Sequence, residues 1–196
     1  MTAARPERRG VTPDAVDTAE RLWSDPSLEG YRIEALSGRV VLSPLRDGDH
    51  AVALTELMSR IARWGLAERN LEVVQNVGLA LPSGPGEYAM PDLAVVDEDF
   101  RDHQLPRGTH AAKAFHLVVE ITSSNWRDDL RVKPDAYASA GVPIYLIGDR
   151  EHQEAKVLWR PEGGEYRSVA TYLPGETLTL PGELPVEIDV DTLLQR

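Results

Sequence analysis

The clearest secondary-structure pattern in the sequence lies in residues 117–149, LVVEITSSNWRDDLRVKPDAYASAGVPIYLIGD. It begins and ends with apolar runs of strand length, Leu117–Ile121 and Ile144–Gly148. Between them, apolar and aromatic residues recur three and four positions apart, and the pattern stops at Gly141, which is typical of a helix. Strand, helix and strand in this order predict a right-handed crossover between two adjacent parallel strands.

Glu120 is the one charged residue in the first apolar run. Alternation along a strand places its side chain on the same face as Val118 and Thr122. An ionised carboxylate inside a sheet is costly unless a cation, a hydrogen-bond donor or a metal meets it. Lys133 lies on the helical stripe that also contains Tyr137. If the helix crosses the face that carries Glu120, the lysine can reach the carboxylate.

Composition limits the class of protein. The chain has 196 residues, of which 42% are hydrophobic, and we expect one domain over residues 12–196 after a disordered tail of residues 1–11. No apolar run could span a bilayer and no signal-peptide pattern opens the sequence, so we expect a cytoplasmic protein without a membrane partner. The absence of cysteine excludes disulfides and thiolate metal sites. A bound metal would therefore have oxygen or imidazole ligands.

The net charge is −11, from 32 acidic and 21 basic residues, and this argues against a general affinity for nucleic acids. A local basic patch could offset the overall charge. The cations around the crossover are candidates for such a patch: Arg107, Lys113, Arg127, Arg131 and Lys133. Scattered, solvated charges are the alternative interpretation.

Shorter patterns predict the elements around the crossover. Alternation on both sides of Ser37-Gly38 predicts a hairpin in which Glu34 faces solvent. Asp49 is the predicted cap of a long amphipathic helix, and Leu71–Leu81 is predicted to form one strand. Alternating strands and helices predict an α/β fold, with a mixed central sheet flanked by the helix from Asp49 and a helix from Arg127.

A second acidic residue, Asp92, lies where another buried strand, Leu93–Val96, begins. Pro91 suits the start of a strand because proline donates no ladder hydrogen bond. His50 falls in the first turn of the long helix, where a lone histidine is more often a surface or capping residue than a ligand. The sequence thus offers Asp92 and Glu120 as two carboxylates that converge at strand ends.

These residues also carry a resemblance to a known family. A Pro-Asp at a strand start, a glutamate in the next strand and a nearby lysine resemble the PD-(D/E)xK nuclease superfamily. More closely, the chain resembles the Uma-two family of restriction endonucleases over nearly its whole length. The motifs that carry the resemblance are, in order, the hairpin around Ser37-Gly38, His50, Pro91-Asp92, LVVEITS with Glu120 and Ser123, Asp129 with Lys133, and YASAGVP followed by Tyr145.

The resemblance implies a restriction-endonuclease-like fold and a metal-dependent endonuclease that acts on DNA. Asp92 and Glu120 would bind Mg²⁺ or Mn²⁺, for which paired carboxylates are suitable hard oxygen ligands. Lys133 would be the third catalytic residue and would assist the attacking water. Three further residues are candidates for accessory roles: His50, Tyr137 and Glu34.

One departure and several alternatives accompany this hypothesis. The superfamily lysine usually follows the glutamate by two residues, where this chain has Thr122, so the role passes to Lys133. Asp92 could instead cap a turn, and Glu120 with Lys133 could form a structural ion pair. The chain could be a non-catalytic relative that acts as a binding or regulatory module, or it could hydrolyse a smaller phosphate ester. The sequence leaves monomer and homodimer open.

Overall fold

The structure is a computed structural model that describes residues 13–44, 47–123 and 126–195. The predicted disordered tail, residues 1–11, lies outside these ranges. Within them the chain forms two six-stranded sheets, a two-stranded sheet and five α-helices. None of the helices in these ranges is long and apolar enough to cross a membrane.

The helices are α1 (Pro13–Trp23), α2 (Gly48–Ala62), α3 (Trp126–Arg131), α4 (Lys133–Ala140) and α5 (Val190–Leu194). The strands are β1 (Arg32–Leu36), β2 (Arg39–Ser43), β3 (Leu71–Gln75), β4 (Gly78–Ala80), β5 (Tyr88–Ala89), β6 (Leu93–Asp97), β7 (Gln104–Leu105), β8 (Thr109–His110), β9 (Phe115–Ile121), β10 (Ile144–Asp149), β11 (Glu154–Glu162), β12 (Glu165–Tyr172), β13 (Thr177–Thr179) and β14 (Glu187–Asp189).

The central sheet has the strand order β12-β11-β10-β9-β6-β3. Strands β9 and β10 are parallel, with Glu120 opposite Ile147, and this confirms the predicted crossover. The other neighbouring pairs are antiparallel, so the sheet is mixed as predicted. In the β6–β9 pair Leu93 lies opposite Val119, and this register brings Asp92, at the start of β6, beside Glu120.

The two faces of the central sheet are covered differently. One face, with Val119 and Ile121, packs against α2, α5 and the β13–β14 hairpin. The opposite face, with Val118, packs against α4 and the second large sheet, whose order is β2-β1-β5-β4-β8-β7. Glu120 shares the face of Val118 because side chains alternate along a strand. It is therefore directed into the space between the two sheets.

The predicted strand Leu71–Leu81 is wrong, because the structure divides this run into β3 and β4. The two strands belong to different sheets. Asn76, between them, has a φ of 52°, in the left-handed region that ends a regular strand. The run therefore connects the two layers, and an apolar pattern alone does not reveal such a break.

Two helix predictions also need correction. The helix expected from Arg127 is two helices, α3 and α4, which are separated at Val132. Pro134 lies at the start of α4, where its missing N–H is tolerated. Asp49 is not the cap of α2. Asp47 caps it instead, with Oδ1 accepting a hydrogen bond from the backbone N–H of His50 at 2.7 Å.

Candidate active site

Four carboxylates meet between the two large sheets. Glu34 comes from β1, Asp92 precedes β6, Glu120 lies in β9 and Asp129 lies in α3. All four side chains are buried. The backbone N–H of Ile121 donates to Asp92 Oδ2 at 2.9 Å and fixes that carboxylate against the strand that carries Glu120. We call these four residues the carboxylate cluster.

Lys133 is the buried cation that faces three members of the cluster. Its Nζ lies 2.6 Å from Glu120 Oε1, 3.0 Å from Asp129 Oδ1 and 3.5 Å from Glu34 Oε1. The hydroxyl of Tyr137, one turn further along α4, donates to Glu120 Oε1 at 3.0 Å. The expected contact between Lys133 and Glu120 is therefore confirmed, and Tyr137 lies beside it.

Arg32 is a second cation in the cluster, and it was not foreseen from the sequence. Its Nη1 lies 2.6 Å from Asp92 Oδ1, and its Nη2 lies 3.6 Å from Glu120 Oε2. Its Nε lies 3.6 Å from Glu34 Oε2. Residues two apart on a strand share a face, so a buried Glu34 in β1 implies that Arg32 faces the same way. The hairpin pattern would therefore have indicated Arg32 if the buried face of β1 had been known.

The expected solvent exposure of Glu34 is wrong, because its side chain is buried. Its Oε1 accepts a hydrogen bond from the backbone N–H of Met90 at 2.8 Å. The surface position expected for His50 is also wrong. The ring is buried, and its Nε2 lies 3.0 Å from Asp92 Oδ2. Both faces of the hairpin are covered in the fold, so alternation alone could not identify an exposed side.

Among the described residues, the cluster has more acidic groups than permanent cations. Four carboxyl groups are met there by two such cations, Arg32 and Lys133. Burial raises the pKa of Glu120 to about 8, although the nearby ammonium of Lys133 opposes this effect. Burial also raises the pKa of Asp129. For Lys133, burial disfavours the charged form, but the attraction of Asp129, Glu120 and Glu34 prevails and raises its pKa above the ordinary lysine value.

Several buried atoms of this site have no hydrogen-bond partner among the described residues. They are Arg32 Nε, Glu34 Oε2, His50 Nδ1 and Glu120 Oε2. Buried polar atoms are rarely left in this state unless a water, an ion or a function accounts for them. Two of the four are carboxylate oxygens in a cluster that is short of positive charge. This donor set fits a hard divalent cation such as Mg²⁺ or Mn²⁺.

A separate group of potential ligands lies on the surface. Ligand atoms of Asp97, Asp99 and His103 all lie within 4.8 Å of one another. The side chain of Asp99 is 64% exposed, and exposed acidic groups are common without a bound metal. Asp97 Oδ1 also lies 2.7 Å from His116 Nε2. This group contains none of the predicted site residues and serves below as a control.

The predicted basic patch does not form as a single surface. Lys133 is buried in the cluster. Arg107 forms an ion pair with Glu20 of α1. The guanidinium of Arg127 lies over the ring of Trp126 at 4.3 Å from its centroid. Lys133, Arg107 and Arg127 therefore have different surroundings. This favours the alternative interpretation of scattered charges.

Comparison with known proteins agrees with this architecture. The family Uma2, described as "Putative restriction endonuclease", matches residues 6–192. A crystal structure of a "putative nuclease belonging to DUF820" from Anabaena variabilis ATCC 29413 superimposes with a TM-score of 0.65 at 16% identity, covering 90% of this chain and 96% of that chain. That likeness shows a shared fold. No curated protein matches the chain significantly. Because the family match extends over nearly the whole sequence, the chain belongs to the family Uma2.

Proposed function

We propose that this chain is a divalent-metal-dependent endonuclease that hydrolyses DNA phosphodiester bonds, with residues 12–196 as its nuclease domain. The observation that carries the proposal is the buried carboxylate cluster, in which four acids face two permanent cations among the described residues. Membership in the family Uma2, whose description is "Putative restriction endonuclease", supports the same reaction class. Asp92 and Glu120 are the proposed metal ligands, and Mg²⁺ or Mn²⁺ is the proposed cofactor.

The contacts of the two ligands assign separate tasks to their oxygens. Glu120 Oε1 accepts hydrogen bonds from Lys133 and Tyr137, whereas its Oε2 has no hydrogen-bond partner in the part of the chain that the structure describes. Asp92 Oδ2 contacts His50 Nε2 and the N–H of Ile121, whereas its Oδ1 faces Arg32. Glu120 Oε2 and Asp92 Oδ1 are therefore the ligand atoms that we propose. A divalent ion held there would polarise the phosphoryl group and acidify a bound water.

Lys133 would act as a hydrogen-bond donor and charge stabiliser. Because the surrounding carboxylates raise its pKa, its ammonium stays protonated at neutral pH and cannot serve as a base. From α4 it can orient the attacking water and offset the negative charge that develops on the phosphoryl oxygens. Thr122, at the usual position of the superfamily lysine, has a different task, since its Oγ1 accepts the backbone N–H of Arg150 at 2.8 Å.

A plasmid assay tests the proposal. Supercoiled plasmid is incubated with Mg²⁺ or Mn²⁺ and the wild-type protein, Glu120→Gln, or the control Asp99→Ala from the surface group. We expect nicking by the wild type and by the control, and a rate at least about 100-fold lower for Glu120→Gln. A wild type that leaves plasmid intact with both metals would contradict the proposal. Cleavage of bis(p-nitrophenyl) phosphate alone would instead indicate a smaller phosphodiester as substrate.

A further inference from the structure

Arg32 occupies the middle of the carboxylate cluster. Its guanidinium lies within ion-pair distance of three of the four acids: 2.6 Å from Asp92, 3.6 Å from Glu34 and 3.6 Å from Glu120. It also faces both oxygens assigned above to a metal, Asp92 Oδ1 and Glu120 Oε2. A divalent cation bound to these two oxygens would therefore occupy the place where the guanidinium of Arg32 lies.

Arg32 also lies on the side of the cluster that is nearest to solvent. Its side chain is 10% exposed, whereas Lys133 and the four carboxylates are at most 3% exposed. Of these six side chains, that of Arg32 is therefore the most exposed to water.

The hydrogen bonding of Arg32 is poor for a buried guanidinium. Such a group offers five N–H donors in a fixed fork. The hydrogen bonds described for Arg32 both come from Nη1, to Asp92 Oδ1 at 2.6 Å and to the carbonyl of Met90 at 2.7 Å. Its buried Nε has no hydrogen-bond partner among the described residues, although it lies 3.6 Å from Glu34 Oε2. A guanidinium that makes few hydrogen bonds gives up fewer of them when it leaves than a fully bonded one.

Lys133 provides the contrast. Its ammonium lies 2.6 Å from Glu120 Oε1 and 3.0 Å from Asp129 Oδ1, and its side chain is more deeply buried than that of Arg32. Lys133 thus makes two contacts of 3.0 Å or less with carboxylates of the cluster, whereas Arg32 makes one.

We propose that Arg32 is a displaceable counter-ion, which pairs with Asp92 and faces Glu120 Oε2 when no divalent ion is bound and leaves both when one binds. The inference rests on the proposed metal site. A divalent cation carries one more positive charge than the guanidinium that it replaces. The exchange therefore adds positive charge to a cluster that has more acidic groups than cations. The cation must therefore compete with Arg32, and the metal affinity of the wild type is lower than the carboxylates alone would give.

Calorimetric titration with Mn²⁺ tests this. We compare the wild type with Arg32→Gln and with Arg101→Gln, a control that removes an exposed arginine paired with Glu72 at 3.1 Å. Removal of a competing charge a few ångströms away is expected to tighten Mn²⁺ binding by Arg32→Gln at least about tenfold. The control should bind as the wild type does. Binding by Arg32→Gln that is equal or weaker would overturn the inference.

A thermal melt covers the case in which Arg32→Gln is unstable without metal. We expect Mn²⁺ to raise its melting temperature more than that of the wild type, because ligands that bind only the folded state stabilise it according to their affinity. If Arg32→Gln stays unfolded at saturating Mn²⁺, a crystal of the wild type soaked in Mn²⁺ decides. With the ion bound, the guanidinium of Arg32 should have left Asp92 Oδ1, from which its Nη1 is otherwise 2.6 Å away. A guanidinium that stays paired with Asp92 beside the bound ion overturns the inference.

The outcomes separate this inference from the proposed function. Mn²⁺ binding that Arg32→Gln tightens, in a protein that cleaves no DNA, would support the counter-ion and contradict the nuclease. Cleavage by a wild type whose Mn²⁺ affinity is unaffected by Arg32→Gln would support the nuclease and contradict the counter-ion. Absence of Mn²⁺ binding by both proteins would contradict both.

Discussion

At the scale of single residues, the site depends on Glu120. Its Oε1 accepts hydrogen bonds from Lys133 and Tyr137, and its buried Oε2 has no hydrogen-bond partner among the described residues. Burial raises the pKa of this carboxyl group to about 8. Without a divalent cation, the folded protein therefore favours a protonated Glu120 under conditions in which the unfolded chain has already ionised it.

The first prediction concerns pH and stability in EDTA. The unfolded carboxyl ionises near its ordinary pKa of 4.5 and the folded one near 8, so the folded state binds the extra proton between these values. The contribution of Glu120 to the free energy of unfolding is therefore fully present below pH 4.5 and is lost as the pH rises to about 8. Urea unfolding at a series of pH values measures this decline.

Glu120→Gln should flatten that profile, because glutamine does not titrate. A decline should persist from Asp129, whose pKa burial also raises. Identical pH profiles for the wild type and Glu120→Gln would show that the carboxyl group is not perturbed in the way the structure indicates.

Lys133→Met tests how much the buried ammonium of Lys133 contributes to stability and to cleavage. The substitution keeps the apolar stem and removes the charge that faces Glu120, Asp129 and Glu34. We expect a loss of about 3 kcal/mol of stability in EDTA, because buried carboxylates lose their partner. Cleavage should fall at least about 100-fold with Mn²⁺. Urea unfolding and the plasmid assay measure the two effects.

Lys156→Met is the matched control, since Lys156 is paired with Glu154 at 2.6 Å outside the cluster. Its stability and cleavage rate should stay close to those of the wild type, because ion pairs near the surface contribute little. Cleavage by Lys133→Met at the wild-type rate would exclude a catalytic role for this lysine.

At the scale of elements, the crossover from β9 to β10 is closed on its other face by α5. Gly148 in β10 allows this close packing. A Cβ atom built on Gly148 would lie 3.1 Å from both Cβ and the carbonyl oxygen of Leu193. Leu193 is buried, so α5 could accommodate the added methyl group only by shifting from the sheet.

Gly148→Ala is therefore expected to lower stability by about 1–3 kcal/mol, the usual cost of overpacking a core. Gly48→Ala is its control, because a Cβ at Gly48 meets nothing within 4 Å. Neither glycine has a left-handed φ, so the comparison isolates packing. Urea midpoints measure the difference. A Gly148→Ala protein as stable as the wild type would mean that α5 does not lie so close to β10.

Elements that the local pattern determines could be predicted from the sequence. The parallel pair β9 and β10 followed from two apolar runs with a helix between them, and the contact of Lys133 with Glu120 followed from helical spacing. The burial of Glu34 and His50 did not follow, because it depends on how the second sheet and α2 lie against the central sheet. Such long-range packing leaves little signal in a local pattern, and so Arg32 was missed.

At the scale of the whole molecule, the site exists only because two sheets come together. Arg32 and Glu34 belong to one large sheet, whereas Asp92 precedes a strand of the other and Glu120 lies within it. The net charge of −11 favours neither DNA binding nor a stable buried acidic cluster. A divalent cation would reduce both problems, because it adds positive charge where a phosphate must approach.

The most direct test is a crystal structure of the protein soaked in Mn²⁺, with anomalous scattering recorded to locate the ion. We expect an anomalous peak bound by Asp92 and Glu120, with the guanidinium of Arg32 moved away from Asp92. A peak at the surface group of Asp97, Asp99 and His103, with none at the carboxylate cluster, would contradict it.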